Sequence, residues 1–175
     1  MRPCGAAPAS KPDPRLRHNR RPPRATDSPV KTVTVSRIIP APRDRVFAIL
    51  SDHAGYSRFP GIRKSVLHEE GADHRNGTDA LREIDAGRLW VMERITAYEQ
   101  DARFDYLIIK SRPPIRHQGG SLRFADVDGG TEVVWTSTFG LAIPLLNRLL
   151  DGYLAGQLEK AFSGMLKAVD RELAA

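Results

Sequence analysis

One cysteine in 175 residues, Cys4, leaves no partner for an intramolecular disulfide. That usage fits a reducing compartment, so a cytoplasmic location is expected. No uncharged apolar run reaches the ~18 residues of a membrane-spanning helix, which argues against stable membrane insertion. The N-terminus has no apolar core of a secretory signal, and none follows Arg20-Arg21. Signatures of common chemistry are also missing: no nucleophile elbow, phosphate loop or dinucleotide fingerprint occurs. His68-Glu69-Glu70 with His74 does not have the spacing of a zinc-binding helix, and no cysteine joins it. Neither a metal nor any other cofactor is expected.

Positive charge is present, but it is concentrated. The formal net charge is +6, and residues 1–29 carry seven Lys/Arg against Asp13 and Asp27. That stretch alone is +5, so the rest of the chain is nearly neutral and has no dense basic stripe. No specific nucleic-acid partner is expected. Seven prolines in the same 29 residues would break the amphipathic helix of an organelle transit peptide. Residues 1–29 read as a disordered Arg/Pro-rich tail or an over-extended translation start. Residues 30–175 read as one domain, long enough to bury a core without staples.

Order is expected to begin near Val30. Val33, Val35 and Ile39 alternate with polar residues, as in a half-buried strand. Pro40 and Pro42 end it, and Pro42 suits a first helical turn. Val46, Phe47 and Leu50 give one apolar helical face. Ser51-Asp52 reads as the N-cap of a second short helix, which Pro60-Gly61 stops. From Ile62 to Phe139, turn signals at Asn76-Gly77, Ala86-Gly87, Gln100-Asp101, Pro113-Pro114 and Asp128-Gly129 separate six strand patterns. No helical pattern interrupts them, so this is an antiparallel meander rather than a βαβ array. From about Pro144 to Leu173, Leu146, Leu150, Leu154, Leu158, Phe162, Val169 and Leu173 recur at helical spacing. Gly152, Gly156 and Gly164 interrupt that helix, either because it passes close to the sheet, or to leave room for a ligand, or as a tolerated kink. Leu141 to Leu150 is apolar on more than one side, as a cavity mouth, a homodimer contact or a buried helix end would be; the oligomeric state stays open.

Three pieces now carry a family resemblance. They are Ala41-Pro42 through Val46-Phe47, Leu50-Ser51-Asp52, Tyr56 and Phe59-Pro60-Gly61; Gly119-Gly120 with Leu122 and Phe124; and Gly130-Thr131 with Val133 and Trp135. With the terminal helix they make residues 32–174 resemble the START-like (SRPBCC, birch-pollen-allergen-like) superfamily, and within it the polyketide cyclase/dehydrase and lipid-transport branch. The resemblance implies an α+β helix-grip fold: a seven-stranded curved antiparallel sheet around a long C-terminal helix, with two short helices after the first strand. It implies a cavity between sheet and helix for a small hydrophobic molecule such as a polyketide, lipid or isoprenoid-like compound. Members include cyclases, carriers and regulators, so activity must be argued from the cavity. A cyclase or dehydratase is one reading; a non-catalytic lipid or quinone carrier, or a partner-binding regulator, is the other.

Alternation assigns candidate lining residues. Phe104, Tyr106 and Ile108 share a face, as do Leu122 and Phe124, and Val133, Trp135, Ser137 and Phe139. Tyr56 and Phe59 from the second short helix, and Leu150, Leu154 and Leu158 from the long one, complete the set. For residues 87–98 alternation leaves both faces open, and the resemblance favours Ile95 inward, which carries Glu93 inward too. A carboxylate alone in an apolar cavity resists ionisation and can serve as a general acid or base, so Glu93 is the candidate catalytic residue. The competing readings are that it anchors a ligand or pairs with a neighbouring arginine. Arg82 and Arg116 are candidate cations for a ligand carboxylate or developing oxyanion, Tyr106 a hydroxyl donor, and His117 a polar group at the rim.

Overall fold

The computed structural model describes residues 30–141 and 147–175, for 147–151 the backbone alone. The expected tail, Leu146 and the first residues of the expected last helix lie outside the described residues, as does the Leu150 side chain.

The first described element is β1 (Lys31–Ile39), in which Val33, Val35 and Ile39 are buried. Pro40 ends it, and the helix α1 (Arg43–Ser51) starts on the Pro42 carbonyl, which accepts from the N–H groups of Arg45 and Val46. Val46, Phe47 and Leu50 form its buried face. The second short helix is a 3-10 helix, His53–Arg58. Its expected cap is not made: Ser51 ends α1, and the Asp52 carboxylate is taken by Arg58 instead of by backbone N–H groups.

Six strands follow: β2 (Lys64–Glu69), β3 (Leu81–Asp85), β4 (Trp90–Glu99), β5 (Arg103–Arg112), β6 (Ile115–Val127) and β7 (Gly130–Leu141). Each turn falls where the Gly, Pro and Asp signals place it. The seven strands form one antiparallel sheet in the order β1-β7-β6-β5-β4-β3-β2. The long helix α2 (Asn147–Leu173) packs on β1, β7 and α1. Arg37 of β1 pairs with Asp170, and Arg58 reaches Glu172 at 3.2 Å, so the helix end is tied to both the sheet and the 3-10 helix. This is the expected helix-grip α+β fold.

β6 is longer than its sequence pattern. Ile115-Arg116-His117-Gln118 reads as polar, yet it is strand. A bulge between His117 and Gly119, with Gly119 at φ 134°, resets the alternation so that His117 and Gly120 share the inner side. Gly120 has a separate reason to lack a side chain. A Cβ there would overlap the ring of Tyr106, its cross-strand partner. The helix glycines differ: a Cβ at Gly152, Gly156 or Gly164 would meet no atom within 4 Å. They neither permit a close approach to the sheet nor make room inside the cavity.

One end of the sheet is closed. Phe47 of α1 meets Phe124, Tyr98 and Phe104 edge-on, with ring centroids 4.9, 5.5 and 6.2 Å away. Ile95, Leu122 and Val133 are fully buried around this aromatic plug. An apolar space lies toward the other end, beneath α2.

Candidate functional site

That space has two chambers. The inner one, about 90 Å³, lies between the sheet and α2. Its apolar wall includes Ile84, Val91, Ile108, Phe139, Phe162 and Met165. Phe162 is stacked on Trp135 with centroids 4.0 Å apart, an aromatic contact worth roughly 0.5–1.5 kcal/mol beyond area burial. The outer chamber, about 490 Å³, adds Pro60-Gly61, Arg88, Pro113, Leu141, Tyr153, Leu154 and Gln157. Ile62, Ala86, Leu89, Leu158, Ala161 and Met165 line both, so the two are continuous. Tyr153 is 60% exposed, and the other outer residues come largely from turns, so the outer chamber is the mouth. The inner chamber alone is below the usual size of a small-molecule site, while the outer is within it.

The inner chamber has a polar floor. Arg82 and Glu93 are directly paired across β3 and β4. They are only 1% and 5% exposed. Arg82 Nε donates to Glu93 Oε2 at 2.7 Å, and Nη2 lies 2.7 Å from the same oxygen in an ion pair. Arg82 Nη1 donates to His53 Nδ1 at 2.9 Å. His53 Nε2–H then donates to the Asn76 carbonyl at 3.0 Å, which fixes a neutral tautomer. Burial first, and then the Arg82 charge, hold the His53 pKa well below its ordinary value. For Arg82, burial disfavours the charge, but Glu93 and the phenols of Tyr56 and Tyr106 more than offset it, and its pKa is raised. The guanidinium also lies over the Tyr56 and Tyr106 rings, 4.9 and 5.4 Å from their centroids. The Tyr56 hydroxyl donates to the Leu50 carbonyl at 2.5 Å. The Glu93 side chain is thus an ion-pair partner and not an isolated carboxylate.

A second network sits beside the first. The Ile108 N–H donates to His117 Nδ1 at 3.0 Å, and His117 Nε2 is 3.0 Å from Ser137 Oγ. Trp135 Nε1–H donates to the Tyr106 oxygen at 3.0 Å. Burial, with the Glu93 charge, raises the Tyr106 pKa, while the hydrogen bond from Trp135 opposes the rise. Desolvation lowers the His117 pKa to about 4.

Of the lining residues expected from sequence, Tyr56, Tyr106, Ile108, Trp135, Phe139, Leu154 and Leu158 line a chamber, with Arg82 and Glu93 at the floor. Phe59, Ile95, Phe104, Leu122, Phe124 and Val133 do not; they are packed core around the plug or against Tyr56. Arg116 lines neither chamber, because it lies one residue off the inward set of Ile115 and His117. His117 acts through Ser137 rather than from the wall itself. Sequence reasoning missed His53, which carries no periodic signal, and most of the mouth, which is built from turns. His68 bonds Glu83 at 2.8 Å, and His74 stacks on Tyr98.

Comparison with known proteins agrees with this geometry. Among curated proteins nothing matches the sequence. Among solved structures, the Zhui aromatase/cyclase from Streptomyces sp. R1128 superposes with a TM-score of 0.69 at 22% identity, covering 82% of this chain and 93% of that one. A START superfamily protein from Mycobacterium smegmatis gives a TM-score of 0.67 at 13% identity, covering 82% and 98%. The protein TTHA0849 from Thermus thermophilus gives 0.67 at 20% identity, covering 81% and 95%. These likenesses show the fold. The family described as polyketide cyclase / dehydrase and lipid transport matches residues 31–174, and the chain belongs to that family.

Proposed function

We propose that the protein binds one small hydrophobic molecule, of polyketide, lipid or isoprenoid-like character, with its head in the inner chamber and its body in the outer one. The observation that carries this reading is the continuous apolar space ending on a buried polar floor. Apolar walls supply the affinity, at roughly 25 cal/mol per Å² of surface removed from water. The few polar groups at the end set orientation. No helix among the described residues is long and apolar enough to cross a membrane.

Binding without turnover is the better supported version. The groups able to move protons are already engaged: Glu93 by Arg82, His53 by Arg82 and Asn76, His117 by Ile108 and Ser137. The second version is a cyclase or dehydratase, favoured by the placement of Glu93 and Tyr106 at one end of a pocket that can hold a flexible chain near a reactive conformer. The two separate in one experiment. The protein is purified from its own host, and small molecules released on denaturation are identified by mass spectrometry. A near-stoichiometric apolar compound, recovered unchanged after incubation with the protein, is the expected result. Conversion of that compound, abolished in a folded Glu93→Gln variant, would replace the carrier reading with the enzyme reading. Preparations that contain no such compound and bind no apolar probe would contradict both.

A further inference from the structure

Resting on the reading above, we propose that Tyr106 donates a hydrogen bond to a neutral carbonyl oxygen at the leading end of the ligand. The argument is a count of protons. The Ile108 N–H donates to His117 Nδ1, and a ring nitrogen that accepts carries no proton. The proton of the neutral ring is therefore on Nε2 and is given to Ser137 Oγ. The indole N–H of Trp135 can only donate, and its acceptor is the Tyr106 oxygen. Each hydroxyl thus receives one bond and keeps its own proton to give.

Neither proton has an acceptor among the hydrogen bonds of the described residues. Of the two, the phenol is the more acidic hydroxyl and the stronger donor, so its proton is the one offered to the ligand. Both side chains line the inner chamber. The donor is also held in place: the Tyr106 ring stacks on His117 with centroids 5.4 Å apart, and the absence of a side chain at Gly120 makes room for it. The indole N–H donated to the Tyr106 oxygen polarises the phenol O–H further.

Charge on the chamber wall selects a neutral acceptor. Arg82 and Glu93 are the charged residues lining the inner chamber, and they compensate each other. Arg82 Nε and Nη2 are spent on Glu93, and Nη1 on His53. A ligand carboxylate in the inner chamber would meet no unpaired cation there and would have Glu93 nearby. A ketone, quinone or ester oxygen brings an acceptor without a charge. The inner chamber is large enough for such a head, and the outer one for the apolar body.

Three matched probes test this: 2-acetylnaphthalene, 2-ethylnaphthalene and 2-naphthylacetate, titrated calorimetrically into the full chain. The ketone should bind about tenfold more tightly than the hydrocarbon, the size of one net hydrogen bond. The carboxylate should bind most weakly. The infrared carbonyl band of bound 2-acetylnaphthalene should lie below its position in an alkane solvent. In Tyr106→Phe the ketone's advantage over the hydrocarbon and the band shift should both disappear. Equal binding of ketone and hydrocarbon, or an unshifted band in the wild-type protein, overturns the inference and leaves the cavity reading standing. Tightest binding by the carboxylate overturns it in favour of Arg82 as the reader. Failure of all three probes to bind overturns the cavity reading as well. The wild-type measurements decide even if the variant does not fold.

Discussion

Arg82 and Glu93 occupy the least forgiving place in the molecule. Two opposite charges are almost fully out of water, and each is tolerable only because the other is there. Arg82→Met should cost roughly 3–5 kcal/mol in urea denaturation by leaving Glu93 uncompensated. The double variant Arg82→Met with Glu93→Leu should recover most of that loss; a single variant within about 1 kcal/mol of wild type would refute a tightly coupled pair. His117 gives a pH prediction. Its folded pKa is lowered to about 4 by burial, against an ordinary value of 6.5. The unfolded chain therefore binds a proton in a window where the folded protein does not, and stability should fall as pH drops from about 6.5 to about 4. His53 is shifted in the same direction. Chemical denaturation followed across that window should show a shallower pH slope for His117→Gln than for wild type. An equal slope in both would remove His117 as a contributor.

Among the elements, two glycines of the same type do opposite work. Gly120 lies under the Tyr106 ring on β6, whereas Gly164 on α2 has open space where a Cβ would be. Gly120→Ala should be clearly destabilising, because the ring or the strand must move. Gly164→Ala should stabilise by about 0.5–1 kcal/mol, since alanine is the better helix residue and nothing resists it. Melting temperatures shifting in opposite directions would bear this out; a loss in both would mean that α2 sits closer to a neighbour than the geometry gives. The same elements show what a sequence can and cannot tell. The order of strands and turns was legible because Gly, Pro and Asp punctuate a regular alternation. The first half of β6 was not, since Arg116 and Gln118 hide a strand and the bulge before Gly119 switches its faces. The inner walls at Tyr106, Trp135 and Leu158 followed from periodicity. Phe104, Leu122 and Phe124 share those faces but lie at the plugged end, and period alone does not say how far along a strand the cavity runs. Gly61, Ala86 and Pro113 come from turns that have no period at all. That Glu93 faces Arg82 depended on the register of β3 against β4, which only the folded sheet supplies.

At the scale of the whole molecule, the central claim is a single apolar site between the sheet and α2, closed by the Phe47 plug and open at the turns. The sheet's curvature and the long helix leave that space because side chains fill only one end of it. Leu158 lines both chambers and stands at their junction. The most direct test is a fluorescence titration with the neutral apolar probe N-phenyl-1-naphthylamine, on the wild-type protein and on Leu158→Trp, with circular dichroism to verify folding. The account predicts a saturable blue-shifted signal with one site per chain in the wild type, and its loss in a folded Leu158→Trp variant whose indole fills the junction. Unchanged probe binding in that variant, or no saturable binding in the wild type, would contradict it.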